Sequence, residues 1–296
     1  MSKRPWVDRL GDFARVSETP GRFTRLGRLG VALQGPLVRL LFRPSLQGCE
    51  HLPEGPFLVV ANHSGGGYSE LSSLAWLWQQ RFGDSRPVAA MAAPPVFLIP
   101  GGGMLLGSLG AVPATYRHAE AAFASGASVL VFPGGDFDCF RPIWQANKVD
   151  FNGRKGYLRL ARKAGVPVVP LGIHGSHYTA PVLWRSRVLP WLLLLPRLLF
   201  GVKRLPVTVV GLIGAAAIVA LAGPTIGTPL AVAAGLLWLT SPLAFMIPVV
   251  PWTITLRFGP ALHPSELFTA EDPELDAASE RVLAEVQRLV LSTQAG

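Results

Sequence analysis

Short apolar runs, each closed by a glycine- or proline-rich turn, recur along the chain and alternate with segments of helical period. Residues 57–61, 88–92, 128–132 and 166–172 read as buried strands, and 71–82, 119–124 and 155–164 as helices. Residues 96–109 form an apolar stretch interrupted by glycines, suited to a short helix near a site or to a pocket wall. The repeated strand–helix–strand rhythm predicts an α/β domain with a central sheet flanked by helices. Strand order and direction stay open at this level.

Two regions break the rhythm. From Phe23 to Phe42, Phe23, Leu26, Leu29, Leu33, Leu37, Leu40 and Leu41 alternate with Arg22, Arg25, Arg28 and Arg39. That pattern fits an amphipathic helix, broken or bent near Gly35-Pro36, lying on an anionic membrane surface or docked on the domain. Later, no Asp, Glu, Lys or Arg occurs between Arg204 and Arg257. Within this interval, 205–222 and 230–250 are long enough, or nearly so, to cross a bilayer as a hairpin; a buried or re-entrant hairpin is the alternative. Residues 189–200, apolar but broken by Pro190, Pro196 and Arg197, suit an interfacial segment. The alternation over 251–259 predicts a strand that rejoins the core. A final helix follows, capped by Thr269-Ala270-Glu271-Asp272, with Leu283, Val286, Leu289, Val290 and Leu291 on its apolar face. The expected organisation is therefore a basic amphipathic region (1–48), a core (49–187), a hydrophobic insertion (188–250), and a return to the core with a terminal helix (251–296).

Composition supports a lipid partner. The 296 residues are 50% hydrophobic and only 15% charged, with a formal charge of +9. A basic surface can serve nucleic acid, but the chain has no zinc-finger spacing, nucleic-acid motif or basic low-complexity tail, which leaves anionic lipid. Cys49 and Cys139 make no disulfide framework, and no metal-ligand pattern is present. Lys3, Arg4, Arg9 and Arg15 interrupt the start, which does not read as a signal peptide. Lys203, Arg204 and Arg257 flank the uncharged interval and predict an inner or plasma membrane location with the domain on the cytosolic side.

Candidate chemistry lies in two turns. The first, Asn62-His63-Ser64-Gly65-Gly66-Gly67, follows the 57–61 run and carries a histidine able to take a proton from a hydroxyl. An isolated turn histidine needs no chemistry, so the second turn matters. Phe132-Pro133-Gly134-Gly135-Asp136-Phe137-Asp138-Cys139-Phe140-Arg141 also ends a strand, with glycine amides at Gly134 and Gly135 and a cation at Arg141. Lys148, Arg154 and Lys155 follow as a basic patch that could meet a donor's phosphates or remain solvated loop charges.

Together these segments resemble the glycerolipid acyltransferase family. Asn62-His63 is similar to its first motif, Phe132-Pro133-Gly134-Gly135 to its third in a diacylglycerol-acyltransferase-like Gly-Gly form, and Gly165-Val166-Pro167-Val168-Val169-Pro170-Leu171 to its fourth. Residues 110–114 fall where the second motif would lie and match it loosely. The resemblance covers roughly residues 50–180. It implies a fatty-acyl transfer from a thioester substrate, acyl-CoA, to a glycerolipid or other lipid hydroxyl, with His63 as general base and no permanently bound cofactor. The family's aspartate, five positions after the histidine, is Tyr68 here, and the arginine of its third motif is replaced by Phe137. Glu70 becomes the expected partner of His63, with Asp136 and Asp138 as alternative carboxylates. Gly134, Gly135 and Arg141 become expected oxyanion or substrate contacts. A lipid-binding or transport protein with an altered site is the competing expectation. A hydrolase fits poorly, because Ser64 lacks a nucleophile-elbow pattern.

Overall fold

The computed structural model describes residues 19–64, 67–98, 101–192, 203–269 and 272–292. Helix α1 (Arg25–Phe42) comes first, followed by β1 (Ser45–Gln47), β2 (Leu58–Ala61), α2 (Tyr68–Phe82) and β3 (Val88–Ala92). The glycine-interrupted stretch forms α3 (Pro94–Leu98) and α4 (Gly102–Ser108). After it come β4 (Val112–Pro113), α5 (Tyr116–Ala124), β5 (Ser128–Val131), α6 (Asp136–Cys139), α7 (Gly156–Ala164), β6 (Val168–His174) and α8 (Ser176–Thr179). Strand β7 (Val182–Ser186) follows, and the insertion contributes β8 (Leu205–Thr208), α9 (Val209–Ile226), α10 (Thr228–Leu239) and α11 (Leu243–Met246). The chain returns through β9 (Thr255–Phe258), α12 (Pro264–Leu267) and α13 (Asp276–Ser292).

Seven strands form one sheet in the order β1-β9-β6-β2-β5-β3-β4. Strand β2 lies between β5 and β6 and is parallel to both, whereas β9 joins β6 antiparallel. Burial on both faces explains why β2, β5 and β6 appear in the sequence as unbroken apolar runs. The pleat sends Leu58 and Val60 to a core shared with Val282, Val286 and Val290 of α13, and Val59 and Ala61 to a core shared with Val38, Phe42, Leu74 and Trp78 of α1 and α2. Asp272 caps α13 by accepting the amides of Asp276 and Ala278 at 2.7 and 3.0 Å. Ala270 and Glu271, of the expected cap, and residues 193–200, of the expected interfacial segment, lie outside the described residues.

Helix α1 continues through Pro36, so the break that was one of the two expectations there does not occur. Gly35 rests on the Trp76 ring of α2, where an added Cβ would be 2.5 Å from Nε1, so packing against α2 holds the helix across the proline. Its docking stripe is narrow: Gly27, Val31, Gly35, Val38 and Phe42. Leu26, Leu29, Leu33, Leu37 and Leu40 remain 51–74% exposed.

The helices of the hydrophobic insertion have different bounds. Residues 205–208 pair with β7, so α9 begins four residues later than expected, and α10 stops at Leu239, ahead of Ser241-Pro242. Among the described residues, α9 is the one helix long and apolar enough to cross a membrane. Its 18 residues give about 27 Å, whereas the 12 of α10 give about 18 Å, short of the ~30 Å hydrocarbon core. Trp238 Nε1 donates to Gly211 O at 3.0 Å and closes the base of this unequal hairpin.

Gly172 of β6 lies under α13, where a Cβ would stand 2.5 Å from Leu289 Cβ and 2.8 Å from its carbonyl carbon. Gly172→Ala is therefore expected to cost about 1–3 kcal/mol by overpacking. Thermal or denaturant unfolding measures this, and an unchanged midpoint would refute the tight contact.

Candidate active site

Both turns leave the carboxyl ends of adjacent parallel strands, β2 and β5, a common location for ligand sites in α/β sheets. Asn62 anchors the first turn to β6: its Nδ2 donates to Ile173 O at 2.8 Å, and its Oδ1 accepts from Ile173 N at 2.7 Å. His63 then projects from the strand end with 19% of its side chain exposed. Its ring stacks on Phe132 of the second turn, with centroids 4.4 Å apart.

Glu70 accepts the hydrogen bond from His63 Nδ1 and is fully buried. This contact occupies Nδ1 and leaves Nε2 as the nitrogen for proton exchange. The same carboxylate accepts from Ser64 N at 3.3 Å, from Ser64 Oγ, and from Ser176 Oγ at 3.2 Å. Glu70 occupies the first turn of α2, where the helix dipole favours an anion. Tyr68, at the family's acidic position, points elsewhere: its hydroxyl donates to Gln34 of α1 at 3.3 Å. Gly67, at φ 85°, lets α2 start directly against the imidazole.

The alternative carboxylates have other partners. Asp138 does fold back to the first turn, but its Oδ2 accepts the His63 backbone amide at 2.7 Å and Oδ1 pairs with Arg141. Asp136 is held between Arg154 and Arg204, each at 3.1 Å. Glu70 is thus the one of these three carboxylates bonded to the ring. Arg141, expected at an open anion contact, is only 2% exposed, because the ion pair with Asp138 one turn away draws it inside.

Electrostatics follows from this burial. Desolvation alone would depress the imidazole, but Cys139, within hydrogen-bonding reach, and Glu70 outweigh it and hold the protonated form well above the ordinary histidine range. Burial pushes the Asp138 carboxyl up to about 6, against the opposing pull of Arg141 and the His63 amide. Burial, with Arg141 nearby, pushes His177 down to about 3, so that ring is neutral.

In the second turn, Gly135 adopts φ 50°, and a Cβ there would meet Arg154 Nη1 at 2.5 Å. The amides of Gly134 and Asp136 make no hydrogen bond among the described residues, leaving two donors beside the imidazole's stacking partner. Of the basic patch, Lys148 is exposed; Arg154 donates to Pro133 O at 3.1 Å as well as to Asp136. Lys155 is engaged away from the turn, donating to Glu274 O at 2.9 Å and to Asp276 at the start of α13. Sequence reasoning missed the supporting hydroxyls. Ser64 is a bonded, buried support for Glu70, and Ser176 follows a glycine turn at the end of β6 that carried the same strand-to-turn signal as the His63 turn.

With this geometry in view, residues 43–174 match the family model described as Acyltransferase. These residues form an acyltransferase-family domain. An uncharacterized protein of Mycobacterium tuberculosis is 29% identical over 182 residues, 60% of this chain and 49% of that protein. One of Mycobacterium leprae is 30% identical over 168 residues, 56% and 44% respectively. The chain therefore spans about half the length of the curated relatives it matches. A crystal structure of the 1-acyl-sn-glycerophosphate acyltransferase PlsC from Thermotoga maritima aligns over 88% of this chain and 78% of that one, with a TM-score of 0.48 and 20% identity.

At Gly67 an added Cβ would lie 2.9 Å from His63 Cε1. Gly67→Ala is expected to cut turnover about ten- to a hundred-fold by displacing the ring, while costing about 1–2 kcal/mol of stability from the positive φ. Steady-state rates beside a melting curve test this; wild-type turnover would show that the ring tolerates the displacement.

Proposed function

We propose that the protein is a membrane-associated O-acyltransferase that moves a fatty-acyl group from acyl-CoA to the hydroxyl of a glycerolipid or another lipid alcohol. The observation that carries this reading is the imidazole of His63, oriented by buried Glu70, at the strand ends of an acyltransferase-family domain. The acceptor O–H gives its proton to His63 Nε2 as its oxygen attacks the thioester carbonyl. Glu70 holds the tautomer and stabilises the imidazolium. The Gly134 and Asp136 amides supply donors for the tetrahedral oxyanion, which collapses by expelling the coenzyme A sulfur; the proton on His63 returns to that leaving group. Ser64 and Ser176 support the carboxylate and undergo no covalent change.

The five exposed leucines of α1, with the apolar surface of α9 and α10, support a bilayer as the setting, and the arginines of α1 support an anionic one. Lys203, Arg204 and Arg257 around the insertion support a cytosolic domain at the inner or plasma membrane. The competing idea of a binding or transport protein drew its strength from Tyr68 in the acidic position, and Glu70 supplies the carboxylate that substitution removes.

With acyl-CoA and a panel of lipid alcohols, His63→Ala is expected to lower kcat by about 10²–10⁴. The reactive base is neutral, so kcat/KM rises with pH until His63 deprotonates, above the ordinary imidazole range. Glu70→Gln removes the anion that favours the imidazolium, which moves this acid limb to lower pH and lowers the plateau. Unchanged transfer by His63→Ala would overturn the mechanism, and no wild-type turnover across the panel would favour a binding protein. Replacing Leu33, Leu37 and Leu40 by Glu is expected to shift the protein from anionic phosphatidylglycerol vesicles toward the supernatant in co-sedimentation. Full retention would remove α1 from the membrane surface.

A further inference from the structure

Three guanidinium groups converge on the outer side of the second turn, and one carboxylate answers them. Arg154, from the loop before α7, and Arg204, from the start of β8, each bond one oxygen of Asp136 at 3.1 Å. Arg185 of β7 lies over Phe137, with Cζ 4.1 Å from the ring centroid, and Nη1 donates to Phe137 O at 2.9 Å. Arg204 Cζ is 5.3 Å from the same ring. Among the described residues Arg185 has no ion-pair partner, while nearby Arg141 already claims Asp138.

Each guanidinium offers five donors in a fixed planar fork. Among the described residues these three make four hydrogen bonds, which leaves most of their donors unused there. The group is not sealed: the side chains of Arg154, Asp136 and Arg204 are 39%, 33% and 18% exposed. Burial and the proximity of Arg204 and Arg141 disfavour the charged form of Arg185, which is the expected result of holding like charges together without enough counter-charge. A salt bridge built for stability needs one arginine for Asp136, whereas two more held at an aromatic face leave fork donors of the kind that bind a phosphate.

The cluster also adjoins the proposed reacting centre. Pro133, whose carbonyl holds Arg154, follows Phe132, the residue stacked on His63. Asp138, two residues beyond Asp136, bonds the His63 amide.

We propose that Arg154, Arg185 and Arg204 form a binding site for a phosphate ester, in which Asp136 is the resident carboxylate that the phosphate displaces. Two of its three arginines come from the β7–β8 ribbon, outside the matched segment 43–174. Assigning the phosphate to a substrate rests on the acyl-transfer reading, but the existence of the anion site does not. The ligand chemistry is shared by a lipid headgroup and by the diphosphate of an acyl donor.

Calorimetric titration of the detergent-solubilised full chain with inorganic pyrophosphate provides the test. The Arg185→Gln/Arg204→Gln pair is expected to weaken binding at least ten-fold, and binding within two-fold of wild type by a variant with an unchanged melting curve would overturn the site. Asp136→Asn, which keeps the side-chain size and all three arginines, is expected to tighten binding several-fold; equal or weaker binding would overturn the displacement and carries the test if the double variant does not fold. Competition by glycerol 3-phosphate assigns the site to the acceptor, and competition by coenzyme A to the donor. Competition by neither overturns its role as a substrate site. Arginine-dependent pyrophosphate binding without any acyl transfer would support the site while sinking the acyl-transfer reading.

Discussion

The buried carboxylate of Glu70 is the constraint on which the site depends. An ionised carboxylate removed from water costs several kcal/mol unless surrounding donors replace its hydration. Here the replacements come from separate parts of the chain: the His63 ring, the amide and hydroxyl of Ser64, and the hydroxyl of Ser176 beyond β6. Satisfying the carboxylate therefore fixes the β2 turn, the start of α2 and the end of β6 relative to one another. The imidazole is positioned by the same interactions that make Glu70 tolerable inside the fold.

Asp138 applies the same logic to the backbone. It holds the His63 amide from the second turn and is matched by Arg141, so the two turns are locked by an internal charge pair as well as by the stacking of His63 on Phe132. The arrangement is costly: Arg141 Nη1 and His177 Nε2 are buried with no partner among the described residues, and burial raises Asp138 toward its neutral form. Replacing this pair with apolar side chains would relieve that cost but release the amide of His63. The protein retains polar groups where positional accuracy, and not stability, is the return.

What the sequence disclosed follows from how local each signal is. Buried parallel strands announce themselves as apolar runs, so β2, β3 and β5 were legible to within a residue, and β6 to within two. His63 and Glu70 were legible because one turn and one helix start connect them. Arg141 misled because its partner Asp138, only three residues away, could equally have left it facing solvent. Ser176 carried only the strand-to-turn signal at the end of β6, and Arg185 and Arg204 had no local signal, since their roles arise from the β7–β8 pairing. Helix α1 was expected to be broken or bent near Gly35-Pro36; it is not broken, because docking on α2 outweighs the cost of one lost backbone bond. The hairpin's bounds were hidden by uniformly apolar residues, in which only Pro206 and Ser241-Pro242 marked the ends.

The unequal hairpin also bears on how a lipid would reach His63. Because α10 is too short to return across a full hydrocarbon core and Trp238 ties it to the start of α9, both ends of the hairpin stay beside β8 on one side. From there the chain runs through exposed Ile247, Val249, Val250 and Trp252 toward β9. Val249 and Val250 bond Thr179 O, and Trp252 N bonds Leu41 O at the end of α1. This strip joins the apolar hairpin to the end of α1 while passing Thr179, which bonds Ser69 next to Glu70. On the proposed acyl-transfer reading, a bilayer covering this surface would meet the shelf that supports the His63–Glu70 pair, which lets an acceptor hydroxyl approach His63 while its acyl chains stay in lipid.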